Sequence, residues 1–224
     1  MMIKPNALLF DFDGVIVHSF KVHSAAWHTA FQHVFGSALP QLPHEAYAGK
    51  SPRLIAALFC EVAGDKQKAN MLLDAKKTFL DESTVAPELL PGVHEIQKFA
   101  VTHKIPYGIA SNANRQFIKK SIAQLQIQFE LYYGYEDYTN PKPDPEPYVK
   151  LAQRLGIAPS QFQNTWVFED SLVGISAAKK AHMFPVGILT QYSEQQLKDA
   201  GAVLVFPTLK EAYLALERAY ATDK

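Results

Sequence analysis

The sequence contains a single cysteine, Cys60, among its 224 residues, so no disulfide can form within the chain. Leu58 and Phe59 precede it, and this apolar context indicates a packed thiol rather than a reactive one. The chain also lacks an excess of either charge, because 22 Lys and Arg residues balance 22 Asp and Glu residues. A broad electrostatic surface for nucleic acid or anionic lipid is therefore excluded, and any anion-binding site must be local.

Long apolar runs are lacking as well, so no segment is predicted to span a bilayer. Residues 1–6 lead into the first apolar run without the pattern of a signal peptide, and the sequence has no internal repeat and no low-complexity segment. We therefore expect a cytoplasmic protein, a monomer or weak dimer, with no nucleic-acid partner and no membrane partner.

Apolar side chains are abundant, at 48% of the residues, which is enough for a sizeable core. Short strand-like runs alternate with helical patterns over much of the chain. The runs lie at 8–10, 105–110, 131–135, 165–168, 186–189 and 203–206. This alternation predicts an α/β fold with a doubly wound, Rossmann-like and mostly parallel sheet.

The segment from about residue 20 to 84 has helical patterns and no convincing strand. An apolar stripe that begins at Trp27 ends at Gly36, a residue type that often terminates helices, and further helical stretches follow at 53–63 and 66–80. We predict a catalytic core formed by 1–19 and 85–224, an inserted all-α domain at 20–84, and a hinge at 85–91.

Polar side chains directly follow three of the predicted strands. They are Asp11 and Asp13 after the first, Ser111 and Asn112 after the second, and Glu169 and Asp170 after the fourth. Ligands of open α/β sheets bind beyond the carboxyl ends of the strands, so we expect these side chains to converge there. Two close carboxylates favour a cation, which the Asp11 side chain and the Asp13 carbonyl can both reach. Taken alone, the Asp-Gly sequence after the first strand is equally typical of a simple turn.

A proline-rich segment at 140–147 places Lys142 between two prolines. Proline fixes φ, so the segment is predicted to be a stiff turn before a helix. A stiff turn can hold a lysine in one place, although most lysines are solvated surface residues.

Four short motifs, in this order, resemble those of the haloacid dehalogenase-like phosphatase superfamily. They are Asp11-x-Asp13-Gly14, Ser111-Asn112, Lys142-Pro143-x-Pro145 and Glu169-Asp170. The helical insertion directly after the first motif, His23 with Trp27 behind it, and the sequence at 91–93 are similar to the branch that contains β-phosphoglucomutase and the sugar-phosphate and phosphoglycolate phosphatases. The resemblance spans nearly the whole chain.

The resemblance implies a Mg²⁺-dependent phosphatase that acts on a small phosphorylated molecule. Asp11 matches the nucleophile that forms an aspartyl-phosphate, and Asp13 matches the general acid and base. The implied Mg²⁺ ligands are the Asp11 carboxylate, the Asp13 carbonyl and the Asp170 carboxylate, with Glu169 bound through water. Ser111, Asn112 and Lys142 match phosphate-binding positions, and Ser111 is also a candidate N-cap for a helix beginning near residue 113.

The insertion corresponds to the family's cap, which excludes water and selects the substrate. Residues 49–53, beginning at Gly49, resemble the cap specificity loop. Lys50 or Arg53 is a candidate for gripping an anionic substrate, and an ordinary surface role fits both residues equally well. His23 aligns with a histidine that faces the site, and Lys76 and Lys77 are weaker candidates.

Several alternatives differ in chemistry. A β-phosphoglucomutase-type mutase has an arginine directly after the cap-loop serine, whereas Pro52 follows Ser51 here, so hydrolysis is favoured. His18 also stands where the first motif normally continues with an acidic residue. Phosphonate cleavage would need a Schiff-base lysine such as Lys50. A phospho-accepting regulatory module shares the aspartate, metal and lysine, but has no use for the insertion or for Asp13.

Overall fold

The computed structural model describes residues 3–43, 46–47 and 50–221. The strands are β1 (Ala7–Phe10), β2 (Val17–His18), β3 (Glu88–Leu89), β4 (Tyr107–Ala110), β5 (Tyr132–Tyr133), β6 (Thr165–Glu169), β7 (Phe184–Ile188) and β8 (Leu204–Phe206). Six of them form one parallel sheet in the order β5-β4-β1-β6-β7-β8. The predicted α/β fold with a doubly wound parallel sheet is confirmed.

The helices are α1 (Phe20–Phe35), α2 (Pro52–Val62), α3 (Ala69–Glu82), α4 (Val93–Thr102), α5 (Arg115–Leu125), α6 (Glu146–Arg154), α7 (Leu172–Lys180), α8 (Glu194–Ala200) and α9 (Leu209–Ala221). The first three make up the helical insertion, as the apolar periodicity predicts. Within the described ranges, none of these helices combines the length and the apolar character needed to cross a bilayer.

Strand β1 is buried on both faces, which explains its uninterrupted apolar sequence. Leu8 and Phe10 join a core cluster with residues of α4, α5 and α9. Ala7 and Leu9 point the other way, into a second cluster with residues of α6 and α7. Helices on both faces therefore fix β1, and with it the position at which residue 11 leaves the sheet.

Strand β1 pairs with β4 on one side and with β6 on the other. From β1 the strand order runs outward in both directions, so the carboxyl ends of β1, β4 and β6 form the switch point of the sheet. The three predicted polar pairs lie at the carboxyl ends of these strands, with Glu169 as the last residue of β6 and the other polar residues beyond the strand ends. The fold thus brings together segments that are more than 150 residues apart in sequence.

The helical insertion has its own apolar cluster, in which α3 packs against α1 and α2. The buried members are Trp27, Ala30, Phe31, Ala56, Phe59, Cys60 and Leu72. Cys60 is a buried free thiol in this cluster, as its sequence context predicts. Gly36 ends α1 with a φ of 69°, in the left-handed region where glycine carries no steric penalty.

A small antiparallel pair, β2 with β3, joins the two points where the chain leaves and re-enters the core. Val17 pairs with Leu89, and His18 pairs with Glu88. Strand β3 thus lies within the predicted hinge segment at 85–91. Strands of two residues are too short to give a periodic pattern, so the sequence contains no signal for them.

Candidate active site

A cavity of about 660 Å³ lies between the helical insertion and the carboxyl edge of the sheet. The sheet side contributes Asp11, Asp13, Ser111, Lys142 and Asp170 to its lining. A volume of this size lies within the range of roughly 300–1,000 Å³ that is usual for small-molecule sites. Residues from all four motifs therefore share one concave surface, whereas Glu169 is fully buried and does not line it.

Lys142 lies between two carboxylates. Its Nζ donates to Oδ1 of Asp11 and to Oε1 of Glu169, each at 2.6 Å. Only 3% of Lys142 is exposed, so the expected surface alternative for this lysine is excluded. Burial alone would lower the pKa of Lys142, but the charges of Asp11 and Glu169 outweigh it and raise that pKa, which keeps the amine protonated.

Glu169 is fully buried, and both of its carboxylate oxygens have partners. Oε1 also accepts a hydrogen bond of 2.5 Å from the Tyr148 hydroxyl, and Oε2 accepts one of 2.9 Å from the Ser171 hydroxyl. A Cβ on Gly174 would lie 1.8 Å from Glu169 Oε1, so this approach requires glycine. These contacts hold Glu169 in place as an anchor for Lys142.

Asp170 differs from Glu169 in the hydrogen bonding of its two carboxylate oxygens. Oδ2 accepts a hydrogen bond of 2.6 Å from Gln191, whereas Oδ1 is buried and has no hydrogen-bond partner in the described part of the chain. A Cβ on Gly14 would lie 1.8 Å from Asp170 Oδ2, and Gly14 has a φ of 82°. Glycine at this position therefore lets Asp170 approach the Asp11–Asp13 loop.

Asp11, Glu169 and Asp170 each offer an oxygen within 4.8 Å of the others. Burial raises the pKa of Asp11 to about 7, even though Lys142 lowers it, and burial together with the Asp11 charge raises the pKa of Asp170 well above its usual range. One lysine thus leaves this acidic cluster under-neutralised. A hard divalent cation with oxygen ligands fits both the excess charge and the unpartnered Asp170 oxygen.

Asp13 has the opposite electrostatic environment. Its Oδ1 accepts a hydrogen bond from the Ser19 hydroxyl and lies 3.3 Å from Nε2 of His23. Burial would raise the pKa of Asp13, but His23, Ser19 and the charge of Lys76 together lower it. Asp13 is therefore ionised at neutral pH.

His23 connects Asp13 to Lys76 of the insertion. Nδ1 of His23 lies 3.3 Å from Nζ of Lys76 and accepts from the ammonium group, which leaves the ring proton on Nε2, directed at Asp13. Lys76 is only 3% exposed, and burial lowers its pKa to about 8. The chain of contacts from Lys76 through His23 thus runs from α3 to Asp13.

Ser111 and Asn112 lie between β4 and α5 and line the cavity. The Ser111 hydroxyl accepts a 3.2 Å hydrogen bond from the Ala113 amide, and Asn112 Oδ1 accepts one of 3.3 Å from the Lys142 amide. The predicted N-cap role of Ser111 is wrong. Helix α5 begins two residues later than expected, and its cap is Asn114, whose side chain accepts from the Phe117 amide at 2.6 Å.

The basic residues of the predicted specificity loop differ from one another. Lys50 lines the cavity, but it is exposed and its Nζ donates to the Ala46 carbonyl at 2.5 Å. Arg53 is exposed and is not among the residues that line the cavity. Gly49, the first residue of the loop motif, lies outside the described residues.

Sequence reasoning gave too little weight to Lys76 and did not identify Gln191 or Tyr148. A signal for Lys76 was available, because Leu72 and Leu80 lie four residues before and after it and both are buried on α3. A lysine in the middle of an apolar stripe indicates a buried charge with a partner. Gln191 and Tyr148 have no local pattern that distinguishes them, since their partners are distant in sequence.

The family is defined by a match over residues 8–188 to the model described as haloacid dehalogenase-like hydrolase. The chain therefore belongs to the haloacid dehalogenase-like hydrolase family. The resemblance based on the four motifs is confirmed.

Curated relatives and solved structures agree with this assignment. The chain is 25% identical over 202 residues to validoxylamine A 7'-phosphate phosphatase of Streptomyces hygroscopicus subsp. limoneus, with 88% of this chain and 91% of that protein covered. It is 26% identical over 205 residues to the phosphorylated carbohydrates phosphatase of Thermotoga maritima, with 88% and 92% covered. The crystal structure of β-phosphoglucomutase from Clostridium difficile matches its fold with a TM-score of 0.78, at 23% identity and with 97% and 99% covered.

Proposed function

We propose that this protein is a Mg²⁺-dependent phosphatase that hydrolyses a small phosphomonoester, such as a sugar phosphate, through an aspartyl-phosphate on Asp11. The observation that carries the proposal is the buried Asp11 carboxylate, bonded to Lys142 and facing a cavity that it shares with Asp13 and Asp170. The named activities of the two curated relatives, both phosphatases of carbohydrate-like phosphates, support the same class of substrate.

In the first step an Asp11 oxygen attacks phosphorus, the bond from phosphorus to the alcohol oxygen breaks, and the alcohol takes a proton from Asp13. In the second step water attacks the phosphorus of the aspartyl-phosphate, Asp13 takes a proton from that water, and the bond from phosphorus to the Asp11 oxygen breaks, which frees inorganic phosphate and restores the Asp11 carboxylate. Asp13 is ionised at rest, which suits the second step. A bound phosphate dianion raises the proton affinity of Asp13, as the first step requires.

Charge on the transferred phosphoryl group is balanced by two kinds of group. Lys142 supplies a fixed positive charge beside Asp11, and the hydroxyl of Ser111 and the backbone amide of Asn112 donate to phosphate oxygen. Mg²⁺, held by Asp11, the Asp13 carbonyl and Asp170, would screen the repulsion between the Asp11 carboxylate and the substrate. Glu169 acts by anchoring Lys142, with any contact to the ion passing through water.

Residues 20–84 are proposed to form a cap over the core at 1–19 and 85–224. The separate apolar cluster of the insertion and the two crossing points at β2 and β3 support this division. Residues 1–2 and 222–224 of the proposed core lie outside the described part of the chain. A cap that closes over the cavity would exclude bulk water during phosphoryl transfer.

A mutase of the β-phosphoglucomutase type is the alternative. It needs a second phosphate site, and the exposed position of Arg53 away from the cavity lining gives no support for one. An assay with glucose 1-phosphate and a bisphosphate primer separates the two activities. We expect phosphate release to be faster than isomerisation, and the opposite order would favour the mutase.

The direct test is a panel of phosphomonoesters, assayed for released phosphate with Mg²⁺ and with a chelator. We expect turnover of small phosphorylated metabolites that requires Mg²⁺. Absence of phosphate release from every ester, with Mg²⁺ present, would overturn the proposed function.

Lys76→Met is expected to lower kcat/KM because His23 loses the partner that orients it toward Asp13. The loss of one such hydrogen bond costs about 1–2 kcal/mol, or roughly 5- to 30-fold in rate. The decrease should fall mainly on kcat. Lys77→Met is the matched control, since Lys77 is the exposed neighbour on the same helix and does not line the cavity. Equal effects of the two variants would contradict the positioning role of Lys76.

Thermal stability should depend jointly on pH and Mg²⁺. The pKa of Asp11 is raised from 3.8 to about 7 on folding, so the folded state binds more protons than the unfolded state between these values. Without metal, this group makes the protein less stable as pH rises from about 4 to about 7. Mg²⁺ competes with protons for carboxylates, so the metal should raise the melting temperature more at pH 8 than at pH 5. A larger shift at pH 5 would contradict the metal assignment.

A further inference from the structure

The wall that the helical insertion contributes to the cavity is largely apolar. Six of its lining side chains are Trp27, Leu39, Leu42, Tyr47, Ile55 and Phe59. On the opposite side the cavity presents the charged and polar groups around Asp11. The cavity thus has a phosphate-binding end and a hydrophobic end.

This wall is a packed surface with little freedom to rearrange. The ring centroids of Trp27 and Phe59 are 5.7 Å apart, and those of Tyr47 and Phe59 are 6.0 Å apart. Trp27 and Phe59 are almost fully buried in the cluster of the insertion, and Leu39, Leu42 and Ile55 pack against that cluster while remaining partly exposed. The partly exposed side chains are those that a ligand would cover.

Several polar groups that the described part of the insertion places on the cavity are engaged within the chain. Nδ1 of His28 bonds the Ser24 carbonyl at 2.8 Å, Lys50 donates to the Ala46 carbonyl, and Lys76 contacts His23. His28 and Lys50 are also exposed, at the rim of the cavity. Ser24 and Gln41 also line this side of the cavity, so polar groups lie beside the wall, while the aliphatic side chains of Leu39, Leu42 and Ile55 offer a ligand no hydrogen bond.

This distribution favours a leaving group with hydrocarbon surface. Burial of apolar surface against the wall is favourable because it removes that surface from water. Hydroxyl groups pressed against the same wall would lose water without gaining hydrogen bonds, which is unfavourable. A phosphorylated polyol of three or six carbons would place several hydroxyls there.

We propose that the substrate is the phosphate monoester of an alcohol that carries a bulky apolar group, an aromatic ring or a branched hydrocarbon. This inference rests on the proposed phosphatase function and, among small phosphomonoesters, favours esters of apolar alcohols over the sugar phosphates named above as an example. The phosphate lies at Lys142 and Ser111, and the apolar group lies against Ile55, Leu42 and the ring of Tyr47.

The test compares benzyl phosphate with glycerol 3-phosphate and glucose 6-phosphate, all with Mg²⁺. All three are phosphate monoesters of primary alcohols, so they differ only in the organic group that would lie against the apolar wall. We expect kcat/KM to be roughly tenfold or more higher for benzyl phosphate, the scale on which a hydrophobic pocket discriminates. Equal or higher values for the polyol and sugar esters would overturn the inference and leave the phosphatase function intact.

Two variants at neighbouring positions of α2 test whether the apolar wall is responsible for the preference for benzyl phosphate. Ile55→Asn places an amide on the apolar wall, and we expect the ratio of kcat/KM for benzyl phosphate to that for glycerol 3-phosphate to fall roughly tenfold. Leu54→Asn is the control, because Leu54 is 50% exposed and does not line the cavity. That ratio should stay within about twofold of the original, and an equal fall in both variants would contradict the assignment of the wall.

If no ester is hydrolysed, the proposed function is overturned. A binding measurement can still test whether the apolar wall selects the ligand. Isothermal titration would then compare benzylphosphonate with 2-hydroxyethylphosphonate, neither of which needs turnover. Tighter binding of benzylphosphonate, weakened by Ile55→Asn and not by Leu54→Asn, would support the apolar site. Equal binding of the two phosphonates would overturn it.

Discussion

Asp11→Asn is expected to abolish phosphate release from every ester that the protein hydrolyses. An amide cannot form the aspartyl-phosphate, so the covalent route is lost and the rate should fall by at least ~10⁴-fold, as it does when other enzymes lose a nucleophile. Folding should persist, because an amide oxygen at this position still accepts a hydrogen bond from Lys142. The measurement is phosphate release together with a thermal melt.

Asp199→Asn is a suitable control for Asp11→Asn, because Asp199 is an exposed aspartate at the end of α8. It should retain full activity and stability. If Asp11→Asn kept a tenth or more of the original rate with its fold intact, Asp11 would not be the nucleophile.

Asp13→Asn is expected to lower kcat by roughly 10²- to 10⁴-fold, the usual contribution of general acid–base catalysis. The decrease in rate should differ between the formation and the hydrolysis of the aspartyl-phosphate. An ester with a good leaving group, such as 4-nitrophenyl phosphate, needs little protonation of the departing oxygen, so its first step should survive better than its second. We therefore expect a burst of nitrophenol near one equivalent, followed by slow turnover.

A natural alkyl phosphate should show no such burst with Asp13→Asn, because its alkoxide leaving group requires the proton. Ser19→Ala provides a comparison, since Ser19 donates a hydrogen bond to Asp13 and is not itself a proposed acid, base or nucleophile, so its loss should have a smaller effect. Turnover of both esters at the original rate would contradict the role of Asp13 as acid and base.

Asp11 and Asp13 are two residues apart and have opposite electrostatic environments. Burial among carboxylates raises the pKa of Asp11, whereas His23, Ser19 and Lys76 lower that of Asp13. Two carboxylates whose proton affinities are driven apart can take different chemical roles in one site. The difference arises from tertiary contacts, so the shared motif at 11–14 contains no sign of it.

Much of the fold could be predicted because its signals are local. Apolar periodicity located α1, α2 and α3, and β-α alternation predicted the parallel sheet. The helical patterns of the sequence do not extend to α7 and α8. α7 has small alanine side chains on its buried face, and α8 is only seven residues long, so both have weak apolar stripes.

The sequence predicts that the polar pairs lie close together, because each pair is placed at the carboxyl end of a strand and these ends meet at one edge of the parallel sheet. The motifs also identified Lys142, which the structure places 2.6 Å from Asp11. What the sequence could not give were contacts between distant segments, such as Tyr148 with Glu169 and Gln191 with Asp170. Ser111 is instructive, since a serine before a helix is a good N-cap by composition, yet Asn114 is better placed by the backbone.

The most direct test of the central claim is peptide mass spectrometry of Asp13→Asn, quenched in acid during turnover of 4-nitrophenyl phosphate with Mg²⁺. The account predicts a phosphoryl group on the peptide that contains residue 11, located at Asp11 and absent from the double variant that also carries Asp11→Asn. A phosphoryl group on any other residue, or turnover of the ester with no phosphorylated protein at any time point, would contradict it.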